Sequence, residues 1–209
     1  MFTEDGRLGF TRADLTEWWA DHLADSRAGL LVPAKAADQV KPQSTISADL
    51  SAAEFTWDNF LVRYSAETDT ELALGPIPTT DGRRTGQYYS AMMLSASART
   101  RHPEEVATFI DFMAHDPQVG RIMGYNRGVL ASQAQYDAYQ PKGADAKIAA
   151  YEKQVADAGL LEPVTPHPDG FDVVEAAFLK IYEGIASGTT SVEDGVDQLF
   201  EEADRALGG

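Results

Sequence analysis

The chain has 209 residues, 44% hydrophobic and 10% aromatic, which is enough apolar material for a core in one large domain or two small ones. Its 33 acidic side chains against 17 basic ones leave a formal charge of -16, a field that repels phosphate backbones and anionic membrane surfaces and argues against nucleic acid as a partner. Cysteine is absent, which removes disulfides, thiolate nucleophiles and cysteine-based metal sites together.

The opening "MFTEDGRLGF" has no basic, apolar or small-residue segment of the kind that makes an export signal, and no run in the chain approaches the roughly 18 apolar residues of a membrane span. The expectation is a soluble chain with no export signal of its own. "TRADLTEWWADHLADSRAG" predicts a first helix capped by Thr11 with Asp14 three residues on, a stripe of Leu15, Trp18, Trp19, His22 and Leu23, and a stop at Gly29. From 30 to 52, Pro33, Pro42 and "PQSTISADLS" predict a surface segment with short helical pieces. "AAEFTW" reads as a short buried strand, followed by a helix from Asp58 to Ala66.

"TELALGPIPTTDGRRTG" predicts a short strand and a loop punctuated by Pro and Gly, and "QYYSAMMLSAS" a longer strand covered on both faces. In "RHPEEVATFIDFMAHDPQVG", Pro103 suits the first helical position and Glu104 and Glu105 suit the positive end of the helix dipole. Val106, Phe109, Ile110 and Met113 form the stripe to be buried, and Asp116-Pro117 starts another helix. "GYNRGVLAS" is a glycine-flanked loop, and "SQAQYDAYQ" and "DAKIAAYEKQVADAG" are further helices. "LLEPVTPHPDG" is an extended connector. Two helices close the chain: one buries Val174, Ala177, Phe178, Ile181 and Ile185. The other starts on Thr190 with Glu193 at capping-box spacing and buries Val192, Val196, Leu199, Phe200 and Ala203.

About three short strands among roughly eight helices is a small sheet for an α/β layer protein, which typically holds about five or six strands. The helix stripes look suited to cover more sheet than these residues supply. No histidine pair has helical metal spacing, and H-E-x-x-H, G-x-S-x-G, the P-loop and G-x-G-x-x-G are all absent. Acidic neighbours such as Glu104-Glu105 and Glu201-Glu202 point apart on a helix and make no dyad. No catalytic residue, metal ligand or cofactor is therefore assigned, and the chain is read as a non-enzyme.

Aromatic residues at junctions carry more information. Trp57 with Asp58 and Asn59, then Tyr88 and Tyr89, then Tyr125, Asn126 and Arg127 place ring planes beside amide, carboxylate and guanidinium groups. Such a set suits a carbohydrate, whose C–H face stacks on a ring while its hydroxyls pair with polar neighbours. Competing readings stay open. Trp57 can instead close the core with its N–H on a carbonyl, Arg127 can serve a structural ion pair, and strand alternation lets only one of the two tyrosines face a ligand.

"FTWDNF", the stretch from "LALGPIPTT" to "NRGVLAS", and the tail "GFDVVEAAFLKIYEGIASGTTSVEDGVDQLFEEADRAL" resemble, in this order, the C-terminal half of an extracellular solute-binding protein of family 1. These are the sugar-capturing components of ABC importers. The resemblance implies an α/β fold, the helix-rich C-terminal portion of a type II periplasmic-binding-protein clamshell with its first lobe largely missing. It implies that Trp57 stacks on the sugar beside Asn59, that Arg127 to Ser132 form a loop near the cleft, and that Gly170 and Phe171 start a cleft-facing helix. The implied division is 1–85 for part of the second lobe, 86–130 for the hinge-crossing strand and helices that dock on the first lobe, and 131–209 for second-lobe helices. The implied ligand residues are Trp57, Asp58, Asn59, Tyr88, Tyr89, Arg127 and Phe171. The implied partners are a carbohydrate, an importer permease and a missing N-terminal lobe, in an extracytoplasmic setting. The family's usual loop proline is Leu130 here, and the usual glycine-rich run before the tryptophan reads "SAAEFT". A helical module pairing with a separate polypeptide is the alternative.

Overall fold

The structure, a computed structural model, describes residues 2–78, 84–88, 93–163 and 167–208, with the backbone alone described at 84–88 and 161–163. The chain divides into two compact units, one made of 1–34 with 165–209 and the other of 35–164.

The first unit holds three of the described helices: α1 (Arg12–Arg27), α8 (Phe171–Ala186) and α9 (Val192–Ala206). Thr11 caps α1 through a reciprocal box: its hydroxyl accepts from the Asp14 N–H at 3.2 Å and the Asp14 carboxylate accepts from the Thr11 N–H at 2.8 Å. Gly29 follows the helix end at φ +73°, a left-handed stop that favours glycine. Leu15 and Trp19 are buried with Phe2, Val174, Ile185, Val196, Leu199 and Ala203 in one apolar core. Trp18, expected on the same stripe, is instead 52% exposed and stacks on His22 at 5.5 Å. The start of α9 moves one residue from its expected place: Ser191, not Thr190, accepts from the Asp194 N–H, at 3.0 Å. Gly195 lets α9 approach α8, since a Cβ there would meet Ile185 Cδ1 at 2.7 Å.

The second unit contains α2 (Ala34–Val40, from its second residue on), α3 (Phe60–Glu67), α4 (Pro103–His115), α5 (Pro117–Met123), α6 (Gln133–Ala138) and α7 (Ala144–Asp157). Its described sheet has three strands in the order β1 (Ile77–Pro78), β2 (Arg84–Tyr88), β3 (Leu161–Pro163). β1 runs antiparallel to β2 with Ile77 opposite Thr85, and β2 runs parallel to β3 with Gly86 opposite Leu161. The α/β class with dominant helices thus stands, but the strands sit elsewhere. "AAEFTW" forms none: the Glu54 carboxylate takes the Ile46 N–H at 3.0 Å and the Thr45 hydroxyl, and Phe55 is 82% exposed. A side chain that bonds nearby backbone offers the chain an alternative to a strand ladder. The strand expected over 87–97 is described only to Tyr88. Beyond the undescribed 89–92, Met93 and Leu94 are not strand and are exposed.

α3 lies on α7, and Leu61, Leu72, Tyr125 and Ile148 form the core between them. Lys147 pins the chain before β1 to α7, donating to the Leu72 carbonyl at 2.8 Å and to Glu71 at 3.0 Å. The buried Gln135 donates from its amide to the carbonyls of Met113 at 3.0 Å and Asp116 at 3.2 Å, tying α6 to the α4–α5 junction. α4 begins on Pro103 as expected, but its apolar stripe is not buried: Val106, Ile110 and Met113 are half-buried and Phe109 is exposed, with Phe112 exposed beside it. It packs on the short α5, and its Met113 carbonyl takes the Gln135 amide of α6.

Candidate ligand-binding site

The candidate site lies in the second unit, at the start of α3. The carbonyls of Trp57, Asp58 and Asn59 accept from the N–H groups of Phe60 at 3.1 Å, Leu61 at 3.0 Å and Val62 at 3.3 Å, so these three residues form the first turn. Asn59 is a residue type that commonly caps a helix through its side chain, yet here it makes no such bond. Its amide instead donates across to the Asn126 carbonyl at 3.1 Å. The helix start is thereby joined to the loop after α5, and its side chains are left for tertiary use. Trp57 is 54% exposed, and Asp58 and Asn59 are half-buried. The indole therefore does not close the core.

The loop is held from below. Gly124 turns at φ +52°, where a Cβ would meet Asp145 Oδ2 at 2.7 Å, and Tyr125 beyond it is buried. Asp145 receives the Tyr139 hydroxyl and lies 3.5 Å from the Tyr125 N–H. That bond to Asp145, with burial, pushes the Tyr139 phenol up to about 12, and burial first of all does the same to Tyr125, also to about 12. Neither ring ionises at neutral pH, and both belong to the core beneath the loop. Arg127 is exposed on this loop.

The third contribution comes from α7. Ile148 and Val155 are buried one heptad apart, and Tyr151 and Glu152 fall between them on the same face, both half-buried. Burial foremost, and then the neighbouring Asp58 carboxyl, raises the Glu152 pKa from 4.5 to about 8. Burial, followed by the charges of Asp58 and Glu152, also raises the Tyr151 phenol.

The structure thus brings Trp57, Asp58 and Asn59 together with the Asn126–Arg127 loop. Tyr88 lies in β2, where only its backbone is described, and Tyr89 lies outside the described residues. Phe171 belongs to the other unit. It is half-buried there as the first residue of α8, stacked on His167 at 3.8 Å and edge-on to Phe2 at 5.7 Å. Sequence reasoning passed over Tyr151 and Glu152. The available signal was a phenol and a carboxylate at positions where the Ile148–Val155 stripe calls for apolar side chains. Among the described residues no group of three His, Asp or Glu side chains could hold a metal ion, and no helix is long and apolar enough to cross a membrane.

No family model matches the chain, and no curated protein sequence matches it. Among solved structures, an extracellular solute-binding protein family 1 from Alicyclobacillus acidocaldarius subsp. acidocaldarius DSM 446 is similar to it. The TM-score is 0.74 at 21% identity, over 100% of this chain and 55% of that one. The chain spans about half the length of the structure it matches. In fold, then, this chain is similar to part of a family 1 extracellular solute-binding protein.

Proposed function

We propose that this chain is a partial, non-catalytic substrate-binding component of an ABC sugar importer, working outside the cytoplasmic membrane and handing a carbohydrate to the importer's permease. The observation that carries the reading is the half-exposed indole of Trp57, set at a helix start beside Asp58 and an Asn59 that is bonded to the Asn126 loop. A pyranose stacked on that ring would find carboxyl, amide and guanidinium groups at its edge in Asp58, Asn59 and Arg127. The likeness in fold to a solute-binding protein supports the same reading. On this proposal 1–85 and 131–209 belong to the second lobe, 86–130 dock on an N-terminal lobe, and Tyr88 and Tyr89 extend the ligand set.

Isothermal titration against mono- and oligosaccharides, with the chain joined to a first lobe, tests this. Binding that Trp57→Ala weakens by about tenfold or more, roughly the worth of one aromatic stack, is the expected result. The absence of any sugar ligand refutes the function, and unchanged affinity in Trp57→Ala refutes the role of that residue. The chain alone should bind more weakly, because a ligand held from one side leaves hydroxyls unpaired.

A second reading is favoured by α4, whose Phe109 and Phe112 are 57% and 44% exposed. An apolar helix face of this kind suits a separate polypeptide as well as a lobe of the same protein. Light scattering after size exclusion separates the two, since a monomer that binds no apolar dye argues against the interaction module.

A further inference from the structure

Asp145 lies beneath the site, and its hydrogen bonds run toward the loop that the site uses. It sits in the first turn of α7, where the helix dipole favours a negative charge. The dipole accounts for the charge but not for the direction of the bonds. Oδ2 takes the Tyr139 hydroxyl and lies 3.5 Å from the Tyr125 N–H. Oδ1 is buried with no hydrogen-bond partner among the described residues, a cost that an apolar side chain would avoid. Gly124 passes over the same group: a Cβ there would stand 2.7 Å from Oδ2 and 2.8 Å from the Tyr139 hydroxyl. The Tyr125 ring meets Tyr139 edge-on at 5.4 Å and closes the knot.

The residue after the knot belongs to the site. Asn126 offers its carbonyl to the Asn59 amide at 3.1 Å, and Asn59 ends the turn that Trp57 opens. The Asn126 N–H is held on the Met123 carbonyl at 3.3 Å, and the Tyr125 carbonyl takes the Gly128 N–H at 3.0 Å. With its neighbours tied on both sides, the Asn126 carbonyl follows the placement of Tyr125. We propose that Asp145 is a positioning residue for the ligand site: by fixing Gly124 and Tyr125 from below it sets the Asn126 carbonyl, and through Asn59 it sets the Trp57 indole. Every link from α7 to that ring is a hydrogen bond or a chain neighbour. Tyr139 acts on the same path, holding the carboxylate oxygen that faces the loop.

Only the consequence for capture rests on the carbohydrate reading, so the first measurement is made without sugar, on the whole chain. The indole ¹H–¹⁵N signal of Trp57, assigned with Trp57→Phe, is compared between the parent chain, Asp145→Ala, Asp145→Asn and Tyr139→Phe, with circular dichroism reporting helix content. The Tyr125 amide and the Trp57 indole should shift together in Asp145→Ala, and less in Tyr139→Phe. Asp145→Asn, whose amide oxygen still accepts from both donors, should return Trp57 most of the way. In Asn59→Ala the path is cut, so adding Asp145→Ala should leave Trp57 where the single change put it. A Trp57 shift of equal size in both backgrounds, no shift at all, or Asp145→Asn behaving like Asp145→Ala overturns the proposal. If Asp145→Ala loses helix content, Tyr139→Phe, which removes one hydroxyl, decides by the same comparison. With the first lobe and a sugar that the parent chain binds, Asp145→Ala should weaken affinity by about two- to thirtyfold and Asp145→Asn by less. Unchanged affinity beside a shifted indole would remove Asp145 from the site. Failure of the parent chain to bind any sugar counts against the carbohydrate reading alone, and the ligand-free comparison still decides whether Asp145 sets Trp57.

Discussion

The two units bury their helices in different ways. In the first, α1, α8 and α9 close on one another mainly through apolar side chains, with an exposed Arg12–Asp197 pair between α1 and α9, and among the described residues its buried side chains are apolar. In the second, polar bonds join elements alongside its apolar core: Gln135 onto two carbonyls, Tyr139 onto Asp145, and Asn59 onto Asn126. An apolar three-helix packing is tolerant of exact partner identity, because dispersion and burial have little direction. A network of directed bonds positions side chains more tightly and makes every partner necessary. The unit with the directed bonds is also the one that carries the candidate site.

The largest effect expected from this contrast is in the apolar unit. Leu199→Ala empties a fully buried position in α9 and should cost about 2–5 kcal/mol, read as a lower midpoint in urea. That loss should be the same at pH 5 and pH 8. Next comes Gln135→Leu, similar in bulk, which strips the Met113 and Asp116 carbonyls of their donor. It should cost about 1–3 kcal/mol and loosen α6 from the α4–α5 junction, seen as faster amide exchange there. A loss as small as that of a surface change would break the contrast between the units.

The smallest effect is the pH dependence of Glu152. Its pKa in the folded chain, about 8, lies above the ordinary 4.5, so the folded state holds the proton more tightly than the unfolded one. The resulting stabilisation is complete below pH 4.5, fades as pH rises, and is gone above about 8. Because Glu152 is only half-buried, the slope should fall well short of the roughly 1.4 kcal/mol per pH unit that one proton allows. The difference in urea midpoint between the parent chain and Glu152→Gln isolates it; a difference that does not change with pH would remove the proton from the account.

Legibility in the sequence follows the same division. The Thr11–Asp14 box, Pro103 at the head of α4 and the stripe of α9 act within a few residues, and each was readable. Trp57 was readable as an indole at a junction, and the structure leaves it half in solvent. Missed were Phe55, where periodicity promised a strand and the Glu54 carboxylate claimed the Ile46 N–H, and the exposed face of α4, which the stripe pattern marked for burial. Glu152 was missed because its partner, Asp58, lies 94 positions earlier in the chain.

By itself, the order of residues determined which segments are helical, where they begin to within a residue or two, and which of their faces are apolar, since caps, dipoles and 3.6-residue spacing operate over one or two turns. Only the tertiary structure decided which apolar faces find cover, which polar side chains meet, and that burial raises the pKa of one carboxyl, Glu152. Those outcomes depend on distances between residues far apart in the chain and on the water excluded around them, and neither quantity is written in local order.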